Sequence, residues 1–208
     1  MIFRSMVALV PFLITACVSS EPVQQDRFYS LEPRVQALST EAPPVRATLL
    51  VNDLATRGFL GGREIVYRSA EEPLQVMRYP TLLWEELPGR AVAEDLVGAL
   101  RTSQLFAFVI TPAQRARADY LLGGELSRFD HLPTAQPPRV VAEFTLTLMR
   151  GDDRRSMLSK RYQGEEATGQ STPEAMAQAF NRLTGRLLGE VVRDLQSLRP
   201  QLRSASTH

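Results

Sequence analysis

Over residues 140–149 the side chains alternate without a break, Ala142, Phe144, Leu146 and Leu148 against Glu143, Thr145, Thr147 and Met149. A period of two sends successive side chains to opposite sides of a strand, so this segment has one buried face and one that meets water or a partner. A strand of that kind needs neighbours to be stable, and the chain supplies them at once. Gly151-Asp152-Asp153-Arg154 is a tight connection into a second strand over residues 156–163, which makes a hairpin. Thr172-Pro173-Glu174 then has the composition of a helix start: an N-capping hydroxyl, Pro at the first helical position and Glu near the positive end of the dipole. Met176, Phe180, Leu183, Leu187, Val191, Leu195 and Leu198 recur at helical spacing down one side until Pro200 ends the run. A half-buried hairpin followed by a long amphipathic helix commits the chain to layers, with the helix covering the apolar side of the sheet.

The upstream half fits the same architecture. Residues 28–31 read as a first short strand, followed by a linker through Pro43 and Pro44. Residues 46–54 hold an aliphatic and β-branched run that reads as a buried strand. Residues 55–63 read as a loop with turn residues Gly58, Gly61 and Gly62, and residues 64–68 with 74–79 as a hairpin around Glu71-Glu72-Pro73. From residue 87 the period changes. Val92, Leu96, Ala99, Leu100 and Ser103 face one way and Arg90, Glu94, Asp95 and Arg101 the other, which predicts a helix over residues 87–102 with Pro88 in its first turn. Residues 106–110 predict a short strand, and residues 118–130 another in which Gly123-Gly124 mark a bulge or a close backbone crossing. The expected fold is one α/β domain, a sandwich of a mixed or mostly antiparallel sheet with two long helices packed on it.

Charge and residue usage exclude several functions. Lys plus Arg is 24 and Asp plus Glu is 23, so no single-sign field concentrates nucleic acid. Every basic residue but Lys160 is Arg, which leaves one amine for chemistry that needs a lysine. The glycine pairs lack a following Gly-Lys-Ser/Thr, so they are turn residues and not a phosphate cradle. With one Cys and two His, His131 and His208, no metal-ligand set and no cofactor is expected. A hydrolase would need His131 to meet a nucleophile and a carboxylate, and no Gly-x-Ser-x-Gly elbow is present. The expected protein is therefore not an enzyme. Tyr67, Tyr79 and Trp84 are candidate partner contacts, with core packing the commoner use of such side chains. Gly185 and Gly189, four apart in the last helix, are expected where that helix closes on the sheet. The Thr-rich side of the strand over residues 140–149 is a candidate oligomer or partner surface.

The amino terminus carries an address. Arg4 precedes an apolar run over residues 6–14, too short for the roughly 20 residues that span a bilayer, and small residues follow. Ile14-Thr15-Ala16-Cys17 resembles the lipobox of bacterial lipoproteins, in which the Cys thiol is acylated and the chain is cut just before it. Acylation would remove the anomaly of a single free thiol in an oxidising compartment, and two or three acyl chains anchor a domain durably where one does not. Asp just after the Cys retains many such proteins at the inner membrane. Here the residue is Val18, so the periplasmic face of the outer membrane is expected. The chain thus divides into a leader over residues 1–16, a lipidated tether over 17–27, a domain over 28–199 and a polar tail over 200–208.

Several further stretches in order along the chain are similar to one family. They are Phe28-Tyr29-Ser30-Leu31, Arg63-Glu64-Ile65-Val66-Tyr67-Arg68, residues 74–79, Trp84, the helix with Leu96 and Leu100, Phe106 and Val109, and Ala118-Asp119-Tyr120 leading to Arg128-Phe129. Together they resemble the ABC-type transport auxiliary lipoproteins, the family that includes paraquat-inducible protein C. The resemblance implies a fold like that of anticodon-binding domains. It also implies an outer-membrane lipoprotein that docks on a periplasmic protein with mammalian-cell-entry domains, served by an inner-membrane ABC transporter, with a homo-oligomer as one form. The alternatives kept beside it are a periplasmic lipoprotein that carries lipid or small hydrophobic molecules and, ranked below that, an outer-membrane hydrolase. Residues 57–62 and Glu85-Glu86 depart from some members.

Overall fold

The computed structural model describes residues 24–35 and 42–202. The leader, the lipobox with Cys17, residues 18–23 of the tether and the tail from residue 203 with His208 lie outside the described residues. In chain order the elements are β1 (Arg27–Tyr29), β2 (Val45–Val51), β3 (Ala55–Thr56), β4 (Glu64–Tyr67), β5 (Met77–Trp84), α1 (Pro88–Ser103), β6 (Phe106–Ile110), β7 (Tyr120–Leu132), β8 (Arg139–Arg150), β9 (Ser156–Ala167) and α2 (Pro173–Ser197).

The strands form one mixed sheet organised on β7. Along one edge β7 carries β8 antiparallel over its whole length, from Tyr120 opposite Arg150 to Leu132 opposite Arg139, and β9 continues outward from β8. Along the other edge three short strands follow one another, all parallel to β7: β2 beside Tyr120, β3 beside Glu125 and β4 beside Asp130. The sheet therefore forks, with β6 outside β2 at one end and β5 then β1 outside β4 at the other. The longest ladders are antiparallel and the short ones mostly parallel, which makes the fold a mixed α/β single domain.

Both helices lie side by side on one face, α2 over β8 and β9 and α1 over β2, β6 and β7. The alternation of β8 is realised as the sequence requires: Ala142, Phe144, Leu146 and Leu148 are buried under the helices, while Glu143, Thr145, Thr147 and Met149 stay partly exposed on the far face. Six of the seven stripe residues of α2 are fully buried, and Leu198 is partly so. The Thr172 hydroxyl accepts the Ala175 N–H as N-cap, at 3.2 Å. α1 stops where Gln104 turns left-handed at φ 52°.

Local readings depart from the structure at Ala55–Thr56, in the second strand of the first hairpin and at Gly185, whereas one of the two readings of Gly123-Gly124 holds. Ala55 and Thr56, expected in a loop, pair with β7 before a short 3-10 turn over Gly58–Gly61. The second strand of the first hairpin runs from Met77 to Trp84 instead of over 74–79, straight through Pro80. Its register against β4 shifts between the Val66–Arg78 and Glu64–Leu83 pairs, where a residue with no N–H leaves the ladder little to lose. Gly124 is the close crossing: a β-carbon there would sit 1.8 Å from the Thr145 carbonyl oxygen. The bulge comes later, between Leu126 and Arg128. Gly185 also marks a close approach, but to the N-terminal segment, since a β-carbon would lie 2.6 Å from the Arg34 carbonyl oxygen and not against the sheet.

Candidate functional site

The aromatic candidates separate into two environments. Trp84 ends β5 on the helix face, 2 % exposed, with its indole 5.4 Å from the Phe129 ring and edge-on to Phe180 of α2 at 5.2 Å. Its bulk fills the core. Tyr67 and Tyr79 sit opposite each other's strands in the β4–β5 hairpin, half-buried, and stack at 4.3 Å. Tyr79 Oη and His131 Nδ1 lie 2.8 Å apart and share a hydrogen bond. Burial pushes His131 down to about 4 and Tyr79 up to about 12, so both are neutral near pH 7. A neutral imidazole tied to a phenol holds β7 to the hairpin. The next residue, Asp130, is 1 % exposed and accepts from Arg68 Nε at 2.7 Å and Arg128 Nε at 3.1 Å, so the carboxylate beside His131 serves an ion-pair network.

Lys160, the single amine candidate, donates to Asp194 Oδ2 at 2.7 Å, and the buried Tyr162 hydroxyl donates to the same oxygen at 2.9 Å. This joins β9 to α2. Among the described residues no three His, Cys, Asp or Glu side chains are grouped to hold a metal ion.

Two hollows flank the N-terminal segment. A groove of about 690 Å³ runs between Arg34 and one side of α2, with Arg182, Arg186, Gly189 and Arg193 along it. Arg182 and Arg186 reach Glu166 at 2.9 and 2.8 Å. Burial alone would raise Glu166, but the two guanidiniums override it and hold its carboxyl below the ordinary range. On the other side a pocket of about 170 Å³ is closed by Tyr29, Leu31, Trp84, Phe129 and the first turns of α1. Asp95 lies there with a buried Oδ2 that has no hydrogen-bond partner among the described residues. Burial, with Glu94 and Glu32 adding to it, pushes Asp95 up to about 7. Sequence periodicity assigns Asp95 to the wet side of α1. The N-terminal segment that covers it is some sixty residues away, a relation that no local pattern carries.

Away from the helices the sheet face is polar at its centre. Thr147 Oγ1 and Ser159 Oγ pair across strands at 3.1 Å, and Ser127 Oγ donates to Glu143 at 3.0 Å. Arg57 meets Glu125 at 2.9 Å. Two phenylalanines are exposed nearby, Phe28 of β1 at 54 % and Phe59 of the 3-10 turn between β3 and β4 at 43 %.

Among the described residues no helix is long and apolar enough to cross a membrane. The model of one protein family, the ABC-type transport auxiliary lipoprotein component, matches residues 29–192. No curated protein matches the chain. Among solved structures, protein XCC0632 from Xanthomonas campestris is 22 % identical, with 85 % of this chain and 99 % of that chain covered and a TM-score of 0.73. The hypothetical protein CT253 from Chlamydia trachomatis is 8 % identical over 76 % of this chain and 99 % of that one, with a TM-score of 0.53. A PelC dodecamer from Paraburkholderia phytofirmans is 14 % identical over 76 % of this chain and 95 % of that one, with a TM-score of 0.50. At these identities the likeness is one of fold.

Proposed function

The chain belongs to the family of ABC-type transport auxiliary lipoprotein components, and from that premise we propose that it works by tethering and docking instead of catalysis. Cys17 carries the acyl anchor at the periplasmic face of the outer membrane, and residues 18–27 space the domain from the bilayer. The domain docks on a periplasmic protein with mammalian-cell-entry domains that works with an inner-membrane ABC transporter to move lipids or other hydrophobic molecules. One observation carries this reading: the family match begins at residue 29, directly after the lipobox and a polar spacer. The side chains a hydrolase would use support it, because His131 and Asp130 are committed to Tyr79 and to arginines. The dodecameric PelC neighbour is consistent with a homo-oligomer.

A pulldown from detergent extract, read by mass spectrometry, tests the docking role. Recovery of a mammalian-cell-entry or ABC component supports it, and recovery of neither from a correctly fractionated protein overturns it. Bound phospholipid in native mass spectrometry without such partners would favour the carrier.

A further inference from the structure

Tyr29 and Trp84 are partners in the β1–β5 register, and Trp84 faces the helices. Alternation therefore turns the next pair, Phe28 and Leu83, to the far face of the sheet. Glu64 of β4, paired with Leu83, continues that row, and Arg78 reaches Glu64 at 2.7 Å. The Arg78 guanidinium also lies 4.5 Å over the Phe59 ring, and Arg63 lies 5.2 Å over Phe28. Beside Phe59 lies a hollow of about 320 Å³ whose lining mixes Val66 and Val76 with Arg57, Arg68, Ser127 and Asp130. The result is two exposed phenylalanines, each with a guanidinium over its ring, Phe28 on the edge strand β1 and Phe59 in the 3-10 turn between β3 and β4, with the Glu64–Arg78 ion pair between them.

Such side chains suit a bilayer boundary, where rings enter the headgroup region and arginines stay at the phosphates. Arg63 suits that role further. It donates through Nε to the Trp84 carbonyl at 3.0 Å, and it has no carboxylate partner among the described residues. The chain itself says what covers the patch. Phe28 follows Cys17 by eleven positions. An eleven-residue spacer reaches about 40 Å fully extended and about 18 Å as a flexible coil. β1 is thus the part of the fold that the chain holds nearest to an acyl anchor.

We propose that the Phe28–Phe59 face is a second, noncovalent contact with an anionic phospholipid bilayer, one that orients the domain on its membrane. This rests on acylation of Cys17. In the acylated protein that thiol is blocked, so a Cys added at position 28 or 59 is a unique labelling site. The test uses full-length protein, acylated in the cell, with Phe28→Cys, Phe59→Cys or Gln178→Cys on α2 labelled by an environment-sensitive fluorophore. Each is reconstituted into phosphatidylcholine vesicles with and without phosphatidylglycerol, and with doxyl lipids as quencher. The expected result is a blue shift and several-fold stronger quenching at positions 28 and 59 than at 178, greater with phosphatidylglycerol and reduced at position 59 by Arg63→Glu. Equal or absent quenching in protein that co-floats with the vesicles overturns the contact and leaves the anchor standing. A blue shift that needs an added protein partner also overturns it. Protein that never co-floats overturns the anchor, and the contact with it.

Discussion

Asp95 is half-buried and His131 buried, and their ionisation pulls stability in opposite directions. Asp95 is raised from 3.8 to about 7, chiefly by burial, so the fold favours its neutral form. Its contribution is complete below pH 3.8 and is lost as pH rises to about 7. Asp95→Asn should therefore stabilise the protein increasingly between those limits and level off above. Allowing for partial solvent exposure, the gain at neutral pH and above is about 1–2 kcal/mol, read from urea midpoints as a function of pH. His131 is lowered from 6.5 to about 4 by burial, so its contribution is complete above pH 6.5 and is lost as pH falls toward 4. His131→Gln should flatten the acid limb of the same curve. Neither shift could be read along the chain: Asp95 carries the spacing of a solvent-facing residue and His131 that of a strand end, and both are buried by distant segments.

At the scale of elements, local periodicity was legible wherever one element buries one face against its neighbours. The stripe of α2 and the alternation of β8 are of that kind, and both survive in the fold without a change of face. Truncating the stripe with Leu183→Ala should cost about 2–5 kcal/mol in chemical denaturation, because the cavity would open between α2 and β9. Glycines distinguish the constraints. At Gly98, in the exposed part of α1, an added β-carbon meets nothing within 4 Å, and Gly98→Ala should raise stability by about 0.5–1 kcal/mol. At Gly124 the same change drives a methyl into the Thr145 carbonyl. Gly124→Ala should lower stability by about 1–3 kcal/mol and disturb the β7–β8 ladder, seen as lost amide protection there. Nothing in Gly-Gly itself tells the two residues of the pair apart. The reason lies in a strand twenty residues on.

For the whole molecule, the acyl anchor proposed at Cys17 is separable from the domain. Cys17→Ser should move the protein to the soluble fraction and abolish palmitate labelling while leaving its melting temperature unchanged, because the family match and the described strands and helices all begin after it. By itself the sequence determined the α/β class, the two helices with their buried faces, the β8–β9 hairpin and the family resemblance, since each is written in residues a few positions apart. Only the tertiary structure decided that β2, β3 and β4 share one edge of β7, that Asp95 is covered by the N-terminal segment, and that Gly185 admits the backbone at Arg34. Those choices are made by segments far apart in sequence, whose pairing follows from which apolar surfaces close together and leaves no period along the chain.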